Sequence, residues 1–406
     1  LQKTATGIYN KIKNIVNKRI HLIILFSMLF VLFNNRAGCQ LETYWKQTDT
    51  TDIVIGKRYV MHSEILGEDR EIYIHLPRED HPDFDTVHYP VVYVFDGSSQ
   101  FLSIVDIMNR LSTSLGDEIC PKMIVVGIIQ NDREKDLGLE HQDKLSVISM
   151  SRDKFTEFIE KELLAYVESN YHTLPYRILI GYSQGGLKAM NILAYNTDLF
   201  NAYIVIDPSL GHYNNQWFNA SVHKIEKADL SEKSVFLAMA QTMKMDTDTL
   251  DIKKDTTTDS RHMRDIMEAA NAFRKNQSNF DFSWKYYPNE YHGSVPFIAE
   301  YEAFYKIFSW YNLQKLRYIF KSDDSPLVLK EAIKAHFESA SRKTGIKFSP
   351  PESYLTELVL YFYSTGKWEK SFAISELLID TYPDSQNAVK IRQILLHEQE
   401  LKNKPK

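Results

Sequence analysis

The sequence predicts an α/β protein, a mostly parallel central sheet covered by helices, followed by a small C-terminal α-helical domain. Three observations predict it. Between about residues 40 and 310, apolar runs of strand length alternate with segments of helical period. Several of those runs are apolar almost throughout, as strands buried on both faces must be. Past Trp310 the pattern is helical without strands, after the polar break 321–326. A chain of 406 residues exceeds what one core usually organises, so two folded units are expected. The boundaries read as an export segment over 1–39, the α/β domain over 40–315 and the helical domain over 316–406.

The first element is not part of the fold. Lys11, Lys13, Lys18 and Arg19 precede the apolar run 22–33, which is shorter than the roughly 20 residues that span a bilayer. Ala37, Gly38 and Cys39 then supply the small residues of a cleavage site. This layout predicts export to the periplasm or the medium, with cleavage before Gln40. Two alternatives remain open: lipidation of Cys39, although Arg36 stands where a lipobox carries an apolar residue, and an uncleaved signal anchor. Contact with a membrane is expected only through this segment.

Strands are expected at 70–76, 90–95, 123–129, 177–180, 202–206, 235–240 and 282–287. Phe155, Phe158, Ile159, Leu163, Tyr166 and Val167 recur at helical spacing and predict a helix over the sheet just before the fourth strand. In the tail, Pro350 and Pro351 open a helix to about Ser364, Gly366 turns the chain, and residues 369–381 form a second helix before Pro383. This pair resembles a single tetratricopeptide repeat. One repeat cannot bury both faces, so it is expected to pack as a cap, with a protein-binding role for these helices as the alternative.

Composition narrows the function. A formal net charge of −5 gives no electrostatic case for nucleic acid. Two cysteines, Cys39 and Cys120, make no disulfide framework, no Cys/His cluster has zinc-ligand spacing, and no segment matches a phosphate-binding glycine loop. No cofactor and no metal are expected.

The segment Gly181-Tyr182-Ser183-Gln184-Gly185 fits a G-x-S-x-G turn. A serine hydroxyl is a weak nucleophile, so it must sit where a histidine takes its proton and backbone N–H groups face the oxyanion. A strained strand-to-helix turn does this, and here residues 177–180 read as the strand and 187–193 as the helix. The motif calls for an acid and then a late histidine. His292, after the last strand, is the expected base, whereas His212 and His262 fall too early in the chain. The loop after the 235–240 strand offers Asp246, Asp248, Asp251, Asp255 and Asp259. Asp246 is preferred as the acid, with Asp255 next. The oxyanion hole is expected to combine the Gln184 N–H with the Gly97 and Ser98 loop, Gly97 allowing close approach of backbone to substrate. Phe101, Tyr182, His212, Tyr213 and Trp217 are expected to line an aromatic pocket.

Several separated blocks, among them 66–77, 89–97, 126–137, the Ser183 turn, Asp207-Pro208-Ser209-Leu210 and 290–296, resemble the esterase family that includes enterochelin esterases, the esterase D group and feruloyl and acetylxylan esterases. The resemblance covers about residues 58–310. It implies an α/β-hydrolase fold and metal-free hydrolysis of a small-molecule, siderophore or carbohydrate ester through an acyl-enzyme, with Ser183 and His292 at the catalytic positions. Gln184 departs from the leucine or methionine of many members. Some relatives work with a serine and histidine alone, so the resemblance leaves the acid open. An acyltransferase using the same acyl-enzyme, and an envelope scaffold using the helical tail, are the competing readings.

Overall fold

The structure is a computed structural model that describes residues 51–77, 88–113, 118–138, 153–211, 216–243, 247–257, 260–313, 316 and 325–403. The expected export segment lies outside them. Val54–Lys406 form one compact unit. Among the described residues no helix is long and apolar enough to cross a membrane.

Eight strands form one sheet: β1 (Lys57–Ser63), β2 (Glu68–His75), β3 (Tyr89–Val94), β4 (Ile124–Ile128), β5 (Thr173–Tyr182), β6 (Ala202–Ile206), β7 (Ser234–Ala240) and β8 (Asp281–Tyr287). Their spatial order is β1-β2-β4-β3-β5-β6-β7-β8. Strand β2 pairs antiparallel with β1 and β4, and every other pairing is parallel. This is the α/β-hydrolase order. Seven strands fall where the apolar runs predict them. Strand β1 has no such signal because it is an edge: in Lys-Arg-Tyr-Val-Met-His-Ser only Tyr59, Met61 and Ser63 turn inward.

Period-2 alternation sends successive side chains of the central strands into two cores. From β5 and β6, Ile178, Ile180, Ile204 and Ile206 enter one, while Leu179, Tyr203 and Val205 enter the other. The first core lies under α1 (Gly97–Leu111), and the second under the interrupted helix that begins at Lys154–Phe158 and continues through a π-helical turn into Leu164–Asn170. A short helix, α2 (Arg133–Leu137), follows β4 and is N-capped by Asp132, whose side chain accepts from Glu134 and Lys135 N–H. The interrupted helix is α3. After it come α4 (Gln184–Tyr195), α5 (Gln216–Lys227), α6 (Thr249–Lys254), α7 (Arg261–Lys275) and α8 (Val295–Ile307).

The tail contains α9 (Pro326–Thr344), α10 (Glu352–Ser364), α11 (Trp368–Thr381) and α12 (Gln386–Asn403). The turn between α10 and α11 uses Gly366 at φ 74°, a left-handed conformation that glycine adopts without steric cost. Leu329, Phe337, Leu355, Phe362 and Leu378 from these helices are continuous with the first core, which also holds Tyr176 and Phe308.

Candidate active site

The parallel strands deliver their C-terminal ends to one edge, and three of those ends lead within two residues to a non-glycine residue at positive φ. These are Asp96 after β3 (φ 53°), Ser183 after β5 (φ 58°) and Asp207 after β6 (φ 42°). Left-handed backbone is costly for side-chain-bearing residues, and it concentrates where a site needs it.

At Ser183 the cost is sustained by glycines. A Cβ on Gly181 would lie 2.1 Å from the Gly185 carbonyl oxygen, and one on Gly186 would lie 3.0 Å from Pro208 Cβ. The turn closes because neither carries one. Ser183 N–H donates to the Ile206 carbonyl (3.0 Å), and Ser183 O accepts from the N–H groups of Leu187 and Ser209 (3.0 Å each). The hydroxyl is left to side chains. Its Oγ lies 3.1 Å from His292 Nε2 and 3.1 Å from Ser209 Oγ.

His292 follows β8. Its loop is anchored by Gln241 N–H donating to the Glu290 carbonyl (2.8 Å) and by Tyr182 Oη donating to the His292 carbonyl (2.8 Å). The Tyr182 ring packs on the imidazole at 4.9 Å between centroids. Tyr182 therefore packs against and anchors His292, whereas the sequence suggests a pocket wall.

The carboxylate at His292 is Asp207. Its Oδ2 is 2.5 Å from His292 Nδ1, and its Oδ1 accepts the Ala240 N–H at 2.8 Å. Among the described residues, none of the expected acids pairs with His292. Asp246 and Asp259 lie outside the described residues. Asp255 Oδ1 accepts from Thr257 N–H (2.6 Å), Thr257 Oγ1 (2.5 Å) and Ser260 Oγ (2.9 Å), so this carboxylate is engaged in its own turn. Asp248 caps α6 through Leu250 N–H (2.8 Å), and Asp251 is an exposed residue of that helix. The reason lies in the strand order: β6 sits beside the serine strand, and its turn reaches across the end of β7, where Ala240 donates, to the loop after β8.

Asp207 is fully buried. Burial alone would raise its pKa, but His262, His292 and the Ala240 N–H together outweigh that and hold the carboxyl well below its usual range. An ionised carboxylate only accepts, so the ring proton sits on Nδ1 and the Nε2 lone pair faces Ser183. His262, at the start of α7, is not remote. Its Nε2 lies 3.1 Å from Asp207 Oδ2, without the alignment of a hydrogen bond, and its ring stands edge-on to His292 at 5.8 Å.

On the other side of the serine, Arg133 ties two loops together. It donates from Nε to Asp96 Oδ1 (2.7 Å), from Nη2 to Asp96 Oδ2 (3.0 Å) and from Nη1 to Gln184 Oε1 (2.7 Å). Gln184 Nε2 donates in turn to Glu134. Helix α2, which carries Arg133, is fixed by the buried pair Arg70–Asp136 (2.6 Å). Asp96 N–H donates to Gln130 Oε1 (2.8 Å), which leaves Gly97 and Ser98 to open α1, as Gln184 opens α4. N–H groups in a first helical turn have no intrahelical partner and are available to an anion.

Two expectations need physical correction here. A Cβ on Gly97 would lie 2.8 Å from the Gly127 backbone carbon, so the glycine lets α1 press on β4 rather than making room for a substrate. Phe101 is core, buried against Tyr73 (5.6 Å between rings) and over Gly127. His212, Tyr213 and the side chain of Trp217 lie outside the described residues.

A family model described as "Putative esterase" matches residues 63–305, more than half of the chain. The chain belongs to that esterase family. It is an enzyme of the serine-hydrolase type. Ferri-bacillibactin esterase BesA of Bacillus subtilis (strain 168) is 26% identical over 168 residues, 36% of this chain and 56% of that protein, so the match spans little more than half of its length. Among solved structures, an IroE-like serine hydrolase from Shewanella oneidensis superposes with a TM-score of 0.64 at 27% identity, covering 80% of this esterase and 98% of that chain. Siderophore hydrolase EstB from Aspergillus nidulans superposes with a TM-score of 0.52 at 20% identity over 63% of this chain and 96% of its own, a likeness of fold.

Proposed function

We propose that this esterase cleaves a carboxylic ester through an acyl-enzyme, with Ser183 as nucleophile, His292 as general base and Asp207 as the orienting acid. The observation that carries this is His292 bridging the two, Nε2 at 3.1 Å from Ser183 Oγ and Nδ1 at 2.5 Å from Asp207. As Oγ attacks the ester carbonyl, its proton passes to His292 Nε2, and the carbonyl electron pair moves to oxygen. The imidazolium is stabilised by ionised Asp207. First-turn N–H groups of α4 and α1, at Gln184 and at Gly97 or Ser98, receive the oxyanion. Collapse breaks the C–O bond, and His292 returns the proton to the leaving alkoxide. Water then repeats the sequence on the acyl-enzyme, releasing the acid and restoring Ser183.

For the substrate, we favour an aromatic or catecholate ester of the siderophore type, supported by the likeness to BesA. The basic and apolar N-terminal segment supports action outside the cytoplasm. In this reading the tetratricopeptide-like tail is a cap that shares the core of the catalytic unit. The test is a panel of p-nitrophenyl acetate, a feruloyl ester and a cyclic catecholate triester, each with wild type and S183A. Activity confined to wild type supports the mechanism, and the highest kcat/KM on the catecholate supports the substrate class. Equal hydrolysis by S183A refutes the first; preference for the simple acetate refutes the second.

A further inference from the structure

We propose that Asp207, His262 and His292 form an inhibitory site for a divalent transition metal, best matched by Zn2+. The three residues each present one ligand atom, and these atoms all lie within 4.8 Å of one another. They are two imidazole nitrogens and a carboxylate oxygen, a donor set that suits zinc and leaves a fourth position for water. His262 supplies the telling detail. Its Nε2 is buried without a hydrogen-bond partner among the described residues, yet it lies 3.1 Å from Asp207 Oδ2. A buried nitrogen facing a carboxylate without hydrogen-bond alignment is what a metal ligand looks like before the ion arrives.

The site forms by movement of His292, whose ligand nitrogen must reach zinc spacing from both Asp207 and His262 within a cluster that spans 4.8 Å. Ligands about 2.1 Å from a tetrahedral zinc stand about 3.4 Å apart. The His262–Asp207 separation of 3.1 Å is already near that value, and the His292–Asp207 contact of 2.5 Å must open by about 1 Å. His292 belongs to an exposed loop on the surface side of the site, with 41% of its side chain accessible, so both the movement and the entry path exist. Asp207 stays in place, held by Ala240 N–H at the end of β7.

The consequence for catalysis follows from one proton. In the active state His292 carries it on Nδ1. Zinc takes the Nδ1 lone pair, so the proton moves to Nε2, the ring stays neutral, and no proton is lost. Nε2 then donates to Ser183 Oγ where it must accept. The base is switched off while nucleophile and oxyanion donors remain intact. Mg2+, which prefers oxygen ligands in octahedral geometry, has no such site here.

Calorimetric titration of Zn2+ into wild type, S183A and H262Q tests the site without relying on turnover. Wild type and S183A are expected to bind one equivalent, and H262Q about tenfold or more weakly. In parallel, Zn2+ inhibits ester hydrolysis by wild type, EDTA restores it, equal Mg2+ does nothing, and the inhibitory concentration for H262Q rises by at least the same factor. Zinc-edge X-ray absorption on the wild-type complex, which needs no variant, should show imidazole ligands. The same zinc affinity in H262Q and wild type, no stoichiometric binding, or a zinc shell without imidazole overturns the proposal. Binding that depends on His262 in a protein without esterase activity would instead refute the function proposed above and leave the metal site standing.

Discussion

Two carboxyls in this molecule are buried to the same extent and hold opposite charge states. Asp207, in the turn after β6, is surrounded by an N–H from Ala240 and by His292 and His262, and it stays ionised. Glu300, in the middle of α8 where that helix meets α1, has Ser103 Oγ at 3.1 Å as its neighbour, and its Oε1 has no partner among the described residues. Burial pushes its pKa up to about 8. The difference shows that donors, not depth, decide whether a buried carboxyl is an anion or an acid. One region is built for chemistry, and the other is a neutral packing element within α8, the helix that follows the His292 loop, where it meets α1.

That contrast can be broken in steps of decreasing size. S183A removes the nucleophile and should lower kcat by about 10⁴-fold or more, measured with p-nitrophenyl acetate. D207N keeps the shape but offers His292 a donor in place of an acceptor, disfavouring the productive tautomer. The expected loss in kcat is about 10³ to 10⁴-fold, while D255N should stay within about twofold of wild type. R133A unties Asp96 from Gln184 and should lower kcat by about 10 to 100-fold with a smaller change in KM, partly recovered by R133K. E300Q should leave kcat near wild type and act on stability. A raised carboxyl pKa means the folded state binds the proton more tightly. Its contribution is therefore complete below the unfolded value of 4.5 and is lost as pH rises through about 8. Wild-type stability should fall by up to about 1.4 kcal/mol per pH unit across that window, and thermal melts of E300Q should show a shallower decline.

The parts of this design that leave a mark in the sequence are those with a steric requirement. Gly181 and Gly186 are glycines because the elbow cannot close otherwise, so the serine turn is readable from residue types. Strands β3, β4, β6 and β7 are readable because burial on both faces demands apolar runs. Asp207 carries no comparable mark. Its left-handed turn is sustained by the Ala240 and Ser209 hydrogen bonds, which are made by backbone N–H groups and so leave no residue-type signature. The polar loop after β7 offers five aspartates and draws attention away from it. The one available signal was an aspartate directly after the fully apolar Ala-Tyr-Ile-Val-Ile, where a charge at a buried strand end calls for a reason. His262 is invisible for a different cause: it meets Asp207 across 55 residues of chain, through the docking of α7, which spacing does not encode. Phe101 and Gly97 show the converse error, since an aromatic and a glycine near a site can both belong to helix packing.

The most direct test of the central claim is the rate at which a fluorophosphonate labels the protein, with the modified residue located by peptide mass spectrometry, in wild type, D207N and D255N. The account predicts a single adduct on Ser183, formed about 10³-fold more slowly in D207N and at the wild-type rate in D255N. An adduct on another residue, or D207N labelling as fast as wild type, would contradict it.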